Sequence, residues 1–155
     1  RLVGSEMCIR DSTRHLRQIP GLLEQVTAFY RGLFHSLGLD SEDMPQELAN
    51  EIYEQVVNLG QGGHTRYLQR ICNAFNYNRK TGARLFHDLK EDGALGTLTR
   101  AALRVLIEKR TTQAVLVHAL NGAQAMHYIN LAAGNETQRC FLDGWLTRTY
   151  DPEAV

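Results

Sequence analysis

Apolar residues recur at intervals of three and four along almost the whole chain and nowhere alternate with polar ones for the length of a strand, which confines the sequence to helix-on-helix architectures. The first set is Leu22, Leu23, Val26, Phe29, Tyr30, Leu33, Phe34 and Leu37. It lies behind Pro20, whose missing N–H suits a helix's opening turn, so a helix is predicted over 20–37, with Gly38 as its stop. Pro45 opens a second helix, with Leu48, Ile52, Val56 and Leu59 on one stripe, that ends near Gly60 to Gly63. Tyr67, Leu68, Ile71, Cys72 and Phe75 mark a third, and Asn76 to Asn78 reads as a turn. A short helix is expected over 79–90, burying Ala83, Leu85, Phe86 and Leu89, before a break at Glu91 to Gly96. Thr97 suits the N-cap of a fifth helix, with Leu98, Ala101, Ala102, Val105 and Leu106 inward. A sixth carries small residues from Ala114 to Ala133 and stops at Gly134. A capping box from Asn135 to Gln138 precedes a last helix anchored by Phe141, Trp145 and Leu146. The expectation is an all-α, compact bundle of about six or seven helices.

At 155 residues the chain can bury a sizeable core, and it is read as a single helical domain over 13–155. Residues 1–12 are set aside, because Val3 to Ser12 has the look of translated sequencing-adapter read-through. No uncharged apolar run approaches the roughly 20 residues of a membrane span. The three cysteines, Cys8, Cys72 and Cys140, are odd in number and widely spaced, which fits a reducing compartment and makes the cytoplasm the expected location. Cys72 and Cys140 lie among apolar neighbours and are expected in the core.

Charge is unevenly spread although the total is zero. The segment 13–63 is an acidic half: from Pro20 to Gly63 only Arg31 faces seven carboxylates. The segment 64–110 carries ten Lys and Arg against Asp88, Glu91, Asp92 and Glu108, and 111–155, a C-terminal helical pair, is mildly acidic from Thr111 onward. A basic segment joined to an acidic one suits polyanion binding, and equally suits two halves that neutralise each other.

Catalytic patterns are absent from the sequence. No His-x-x-x-His or Glu-x-x-His, the spacings that place two metal ligands on one helical face, and no Cys-x-x-Cys occurs. Gly60-Gln-Gly-Gly63 matches no phosphate-binding loop and reads as a helix stop. Glu47, Glu51 and Glu54 fall on one side of the second helix as a solvated face. No metal or cofactor is expected.

Pro20-Gly-Leu-Leu, Arg31-Gly-Leu-Phe, Leu37-Gly-Leu-Asp, Ala49 and Ile52, and Gly62-Gly63 followed by Tyr67-Leu68 resemble the N-terminal half of the Mor-type transcription activators of Mu-like phages. The resemblance covers about Pro20 to Leu68 and departs from the family at Gln69, which stands where the family has proline. It implies a dimerisation domain of two helices leading into a helix-turn-helix that binds promoter DNA.

The first functional expectation is therefore a dimeric DNA-binding transcriptional regulator. Thr97, Thr99, Arg100 and Arg104 would meet the groove of duplex DNA, and Arg79, Lys80 and Arg84 its phosphates. A non-catalytic protein-interaction module, associating through the small-residue face of the sixth helix, is the second. A small enzyme or cofactor carrier using His87, His118 or His127 in a central pocket is the third.

Overall fold

The computed structural model describes residues 19–42 and 44–149, and residues 1–12, where adapter read-through is expected, lie outside the described residues with Cys8 among them. Among the described residues six α-helices and one 3-10 helix account for the regular structure and there is no strand, so the protein is all-α. The helices are α1 (Leu22–Ser36), α2 (Gln46–Leu59), α3 (Gln61–Phe75), α4 (Thr97–Lys109), α5 (Gln113–Gly134) and α6 (Leu142–Thr147), and the 3-10 helix spans Glu136–Phe141. The chain divides into two units, residues 1–40 and 41–155, a boundary with no mark in the sequence.

In the first unit, Gly21 precedes α1 at φ 75°, and Gly38, at φ 64°, turns the chain out of it. Phe29 meets Tyr30 edge to face at 5.4 Å, and His35 Nδ1 lies 2.6 Å from Asp40 Oδ2.

In the second unit α2, α3 and α5 pack against one another, α4 packs on α3, and the 3-10 helix and α6 fold back on α5. Pro45 is the N-cap of α2, and Gly60, at φ 76°, makes the corner into α3, so Gly62 and Gly63 open a helix instead of ending one. Thr112 caps α5 by accepting a hydrogen bond from Val115 N, and Asn135 caps the 3-10 helix through Thr137 N. The core is built from Leu48, Ile52, Leu68, Leu103, Leu106, Leu116 and Leu120, all fully buried, each adding about 1.5–3 kcal/mol. Among them lie four equally buried polar side chains, Gln55, His64, Thr65 and Gln124.

Two expectations are corrected here. The helix over 79–90 does not form, and residues 76–96 are irregular. The side-chain amides of Asn73 on α3 and of Asn76 at its C-cap take the backbone N–H groups of Leu85, Phe86 and Leu89, which a helix would have spent on its own carbonyls. Cys140 is exposed, because the 3-10 helix that carries it has no buried residue, whereas Cys72 is in the core as expected.

Candidate ligand groove

Gln69 and Asn73 on α3 and Asn76 at its C-cap follow one another at i, i+4 and i+7, so the end of the helix presents three amides in a row. Each grips the backbone of the segment that runs back along the helix. Asn76 Nδ2 donates to Phe86 O (2.8 Å), and its Oδ1 accepts from Leu85 N and Phe86 N. Asn73 pairs with both backbone groups of Leu89, donating to its carbonyl at 2.9 Å and accepting from its N–H at 2.7 Å. Gln69 Oε1 accepts from Gly93 N at 2.9 Å, while its Nε2 donates to Asp92 Oδ1 and Ala94 O. A loop without secondary structure thereby has its inward backbone groups satisfied.

The loop's far end is tied by short-range chemistry. Asp92 Oδ1 accepts from Ala94 N as well as Gln69, and these bonds, the former foremost, hold the Asp92 carboxyl below its ordinary range. Gly93 adopts φ +81°, and a Cβ there would stand 2.8 Å from Gly62 O, so the loop lies directly on the first turn of α3. The Thr99 hydroxyl is buried and donates to Ala94 O. Asn78 orders the tip, accepting from Lys80 N and Thr81 N, with Gly82 at φ 73°.

Between this clamped loop and α4 lies a groove of about 730 Å³. Its α4 wall is Leu98, Ala101, Ala102 and Val105, with Phe86 and Leu89 from the loop, so carbon dominates the lining. His87, Asp88, Lys90 and Asp92 stand among it as the charged or titratable groups. The expected inward face of this helix is thus split. Thr99, Ala102, Leu103 and Leu106 are buried, whereas Leu98 is 77% exposed on the groove. Thr97 is the first residue of the helix and Gly96 its N-cap.

The residues expected to contact DNA are dispersed in environment. Arg79 and Lys80 are exposed at the ordered tip. Arg84 forms an exposed ion pair with Asp88 at 3.3 Å. Arg100 donates to Leu95 O at 2.9 Å, and Arg104 shares a small cleft with it, Ser41 and Met44. Thr97 lines the groove. Thr99 is buried, its hydroxyl donates to Ala94 O, and it stands among the groove-lining residues. The carboxylates of α2 bond to amides, Glu47 to Gln113, Glu51 to Gln55 and Glu54 to Asn58, and burial, the largest effect, raises the Glu51 carboxyl. Two ion pairs of the basic segment are internal to it, Arg70 with Glu91 at 2.7 Å and Arg84 with Asp88 at 3.3 Å.

Of the three histidines, His87 lines the groove, His118 is exposed, and His127 Nδ1 lies 3.3 Å from the Tyr67 hydroxyl. No group of three His, Cys, Asp or Glu among the described residues could hold a metal ion. No helix among them is long and apolar enough to cross a membrane. The sequence reading missed the groove. Its signal was the row Gln69, Asn73 and Asn76, polar residues on the side of a helix that should be carbon.

Residues 63–150, more than half of the chain, match the family model described as Predicted Peptidoglycan domain. No curated protein matches. The matched stretch begins at Gly63 and so contains the amide row, the clamped loop and both walls of the groove.

Proposed function

The chain belongs to the predicted peptidoglycan domain family, and on that premise we propose that it is a peptidoglycan-binding module whose ligand lies in the groove between residues 85–96 and α4. One observation carries the reading: the groove is lined wholly from within the matched residues, by a loop that three side-chain amides hold in place before any ligand arrives. Such preorganisation spares a ligand the cost of ordering the loop. Co-sedimentation with purified cell-wall sacculi tests it. Wild-type protein should pellet, and Leu98→Asp, which charges an exposed position on the groove, should lower the bound fraction at least tenfold. Wild-type protein left in the supernatant at low protein and salt concentrations would end the reading.

A peptidoglycan ligand lies outside the cytoplasmic membrane, so this proposal moves the working compartment away from the cytoplasm expected from the cysteines. Cys72 tolerates the move, because burial pushes its thiol up to about 12 and leaves almost no thiolate to oxidise.

The dimeric DNA-binding regulator is the second reading. It is favoured by the exposed Arg79 and Lys80 and by α5, which has no Lys, Arg, Asp or Glu yet leaves Val115, Met126 and Ile129 exposed. Gel-shift titration with duplex DNA and sedimentation velocity test it. It requires retention that falls steeply with salt and is reduced in an Arg79→Ala, Lys80→Ala double variant, together with a dimer that Ile129→Glu dissociates.

A further inference from the structure

The side of the loop facing α3 is fully engaged, since Phe86 and Leu89 each give both their N–H and their carbonyl to an asparagine. The residues between and after them differ. The backbone N–H and C=O groups of His87 and Lys90 have no hydrogen-bond partner among the described residues, and the chain over 87–91 contains no turn or bend. Both residues line the groove and are exposed. Main-chain donors and acceptors without a protein partner among the described residues thus belong to residues that line the same groove as Leu98, Ala101 and Val105.

That combination discriminates between the two chemical halves of peptidoglycan. A sugar ring carries hydroxyls on most of its rim, and against a carbon wall many would lose their water without gaining a partner. A short peptide of small side chains has the opposite needs. Its backbone can pair with an open backbone, and its methyl groups can cover Ala101 and Val105. Charge adds direction. Lys90 has no ion pair among the described residues, whereas the nearby Asp88 is occupied by Arg84 and Asn76, and Asp92 by Gln69 and Ala94. Lys90 acts on Asp92 only as one of the weaker effects on that carboxyl and forms no ion pair with it, so its exposed ammonium on the groove suits a peptide carboxylate. The volume, about 730 Å³, lies inside the roughly 300–1,000 Å³ span of small-ligand sites.

Resting on the peptidoglycan reading, we infer that the groove recognises the stem peptide and not the glycan, through main-chain hydrogen bonds at His87 and Lys90 and a carboxylate held by the Lys90 ammonium. The full chain is tested against intact sacculi, glycan strands stripped of peptide by an amidase, and the free tetrapeptide L-Ala-γ-D-Glu-L-Lys-D-Ala. Sacculi should retain the protein, stripped strands should retain it at least tenfold less, and the tetrapeptide should release it while shifting the amide resonances of residues 87–90. Lys90→Gln should weaken tetrapeptide binding about fivefold, with Lys90→Arg restoring most of it. Because Lys90 is exposed, neither variant threatens folding. Equal retention by stripped strands, with no release by tetrapeptide, overturns the inference and leaves the peptidoglycan reading standing. No retention by sacculi overturns both. Release by tetrapeptide that is the same for Lys90→Gln overturns the assignment of the carboxylate to Lys90.

Discussion

His64 is fully buried, with Nδ1 3.1 Å from Gln55 Oε1 and Nε2 without a partner. Gln55 Nε2 is committed to Glu51 at 2.6 Å, so its oxygen faces the ring and the imidazole donates from Nδ1. Protonating Nε2 would add a charge and an unpaired donor in a dry site, and burial accordingly pushes this histidine down to about 4. An unfolded chain takes up the proton near pH 6.5, the folded chain only near 4, so between these values the unfolded state binds more protons. Stability should therefore be full above about pH 6.5 and should fall as the pH drops toward 4, by something on the order of 3 kcal/mol. Urea midpoints at several pH values, compared between wild type and His64→Gln, measure it. The variant should lose this acid-side slope, and parallel curves would refute the assignment. Glycines allow a sharper contrast. Gly60 and Gly93 both have positive φ, but an added Cβ meets nothing within 4 Å at Gly60 and the Gly62 backbone at Gly93. Gly60→Ala should cost about 1–3 kcal/mol, from backbone strain alone, since φ 76° with ψ 148° is a region left almost entirely to glycine. Gly93→Ala adds the clash and should cost about 2–4 kcal/mol. Equal losses in urea denaturation would mean that the approach of the loop to α3 is not tight.

At the scale of elements, α3 does two jobs at once, packing Leu68 and Cys72 into the core while Gln69, Asn73 and Asn76 stand in for a partner strand. Asn76→Ala would strip partners from Leu85, Phe86 and Asp88 together, at about 1–3 kcal/mol, and should leave the helix content unchanged. Hydrogen exchange should accelerate at Leu85, Phe86 and Leu89 but not within α2 or α5. Uniform acceleration would show that the loop and helices unfold as one. The helices were legible from carbon repeating every three or four residues, most plainly where Pro or Gly also marks the ends, as for α2 from Pro45 to Gly60. The segment 79–90 satisfied the same template by count, with Ala83, Leu85, Phe86 and Leu89, yet a local pattern says nothing of side chains ten residues upstream that compete for its N–H groups. The groove was half visible. Leu98, Ala101 and Val105 were read as core because an apolar stripe looks the same whether it meets protein or a ligand, and only packing separates them from Ala102, Leu103 and Leu106. Lys90 carried no signal and His87 was singled out only as an imidazole, since what sets both apart is which backbone groups are left over.

The whole molecule poses a question of sufficiency: how much of the chain does the groove need? Every element that positions it, α3, the 76–96 loop and α4, belongs to the unit from Ser41 onward. That unit carries its own large buried side chains on four helices, Leu48 and Ile52 on α2, Leu68 on α3, Leu103 and Leu106 on α4, and Leu116 and Leu120 on α5. At about 1.5–3 kcal/mol for each, and with a length well inside the usual range for an independent domain, this core can offset the entropy of ordering its own residues. Residues 41–155 expressed alone should therefore unfold in a single cooperative urea transition and bind sacculi within about threefold of the full chain. Two-state folding with lost binding would place part of the ligand site before Ser41. A broad, non-cooperative transition would show instead that the second unit depends on the first for its core, and either outcome would remove the claim that the groove is complete within the family-matched region.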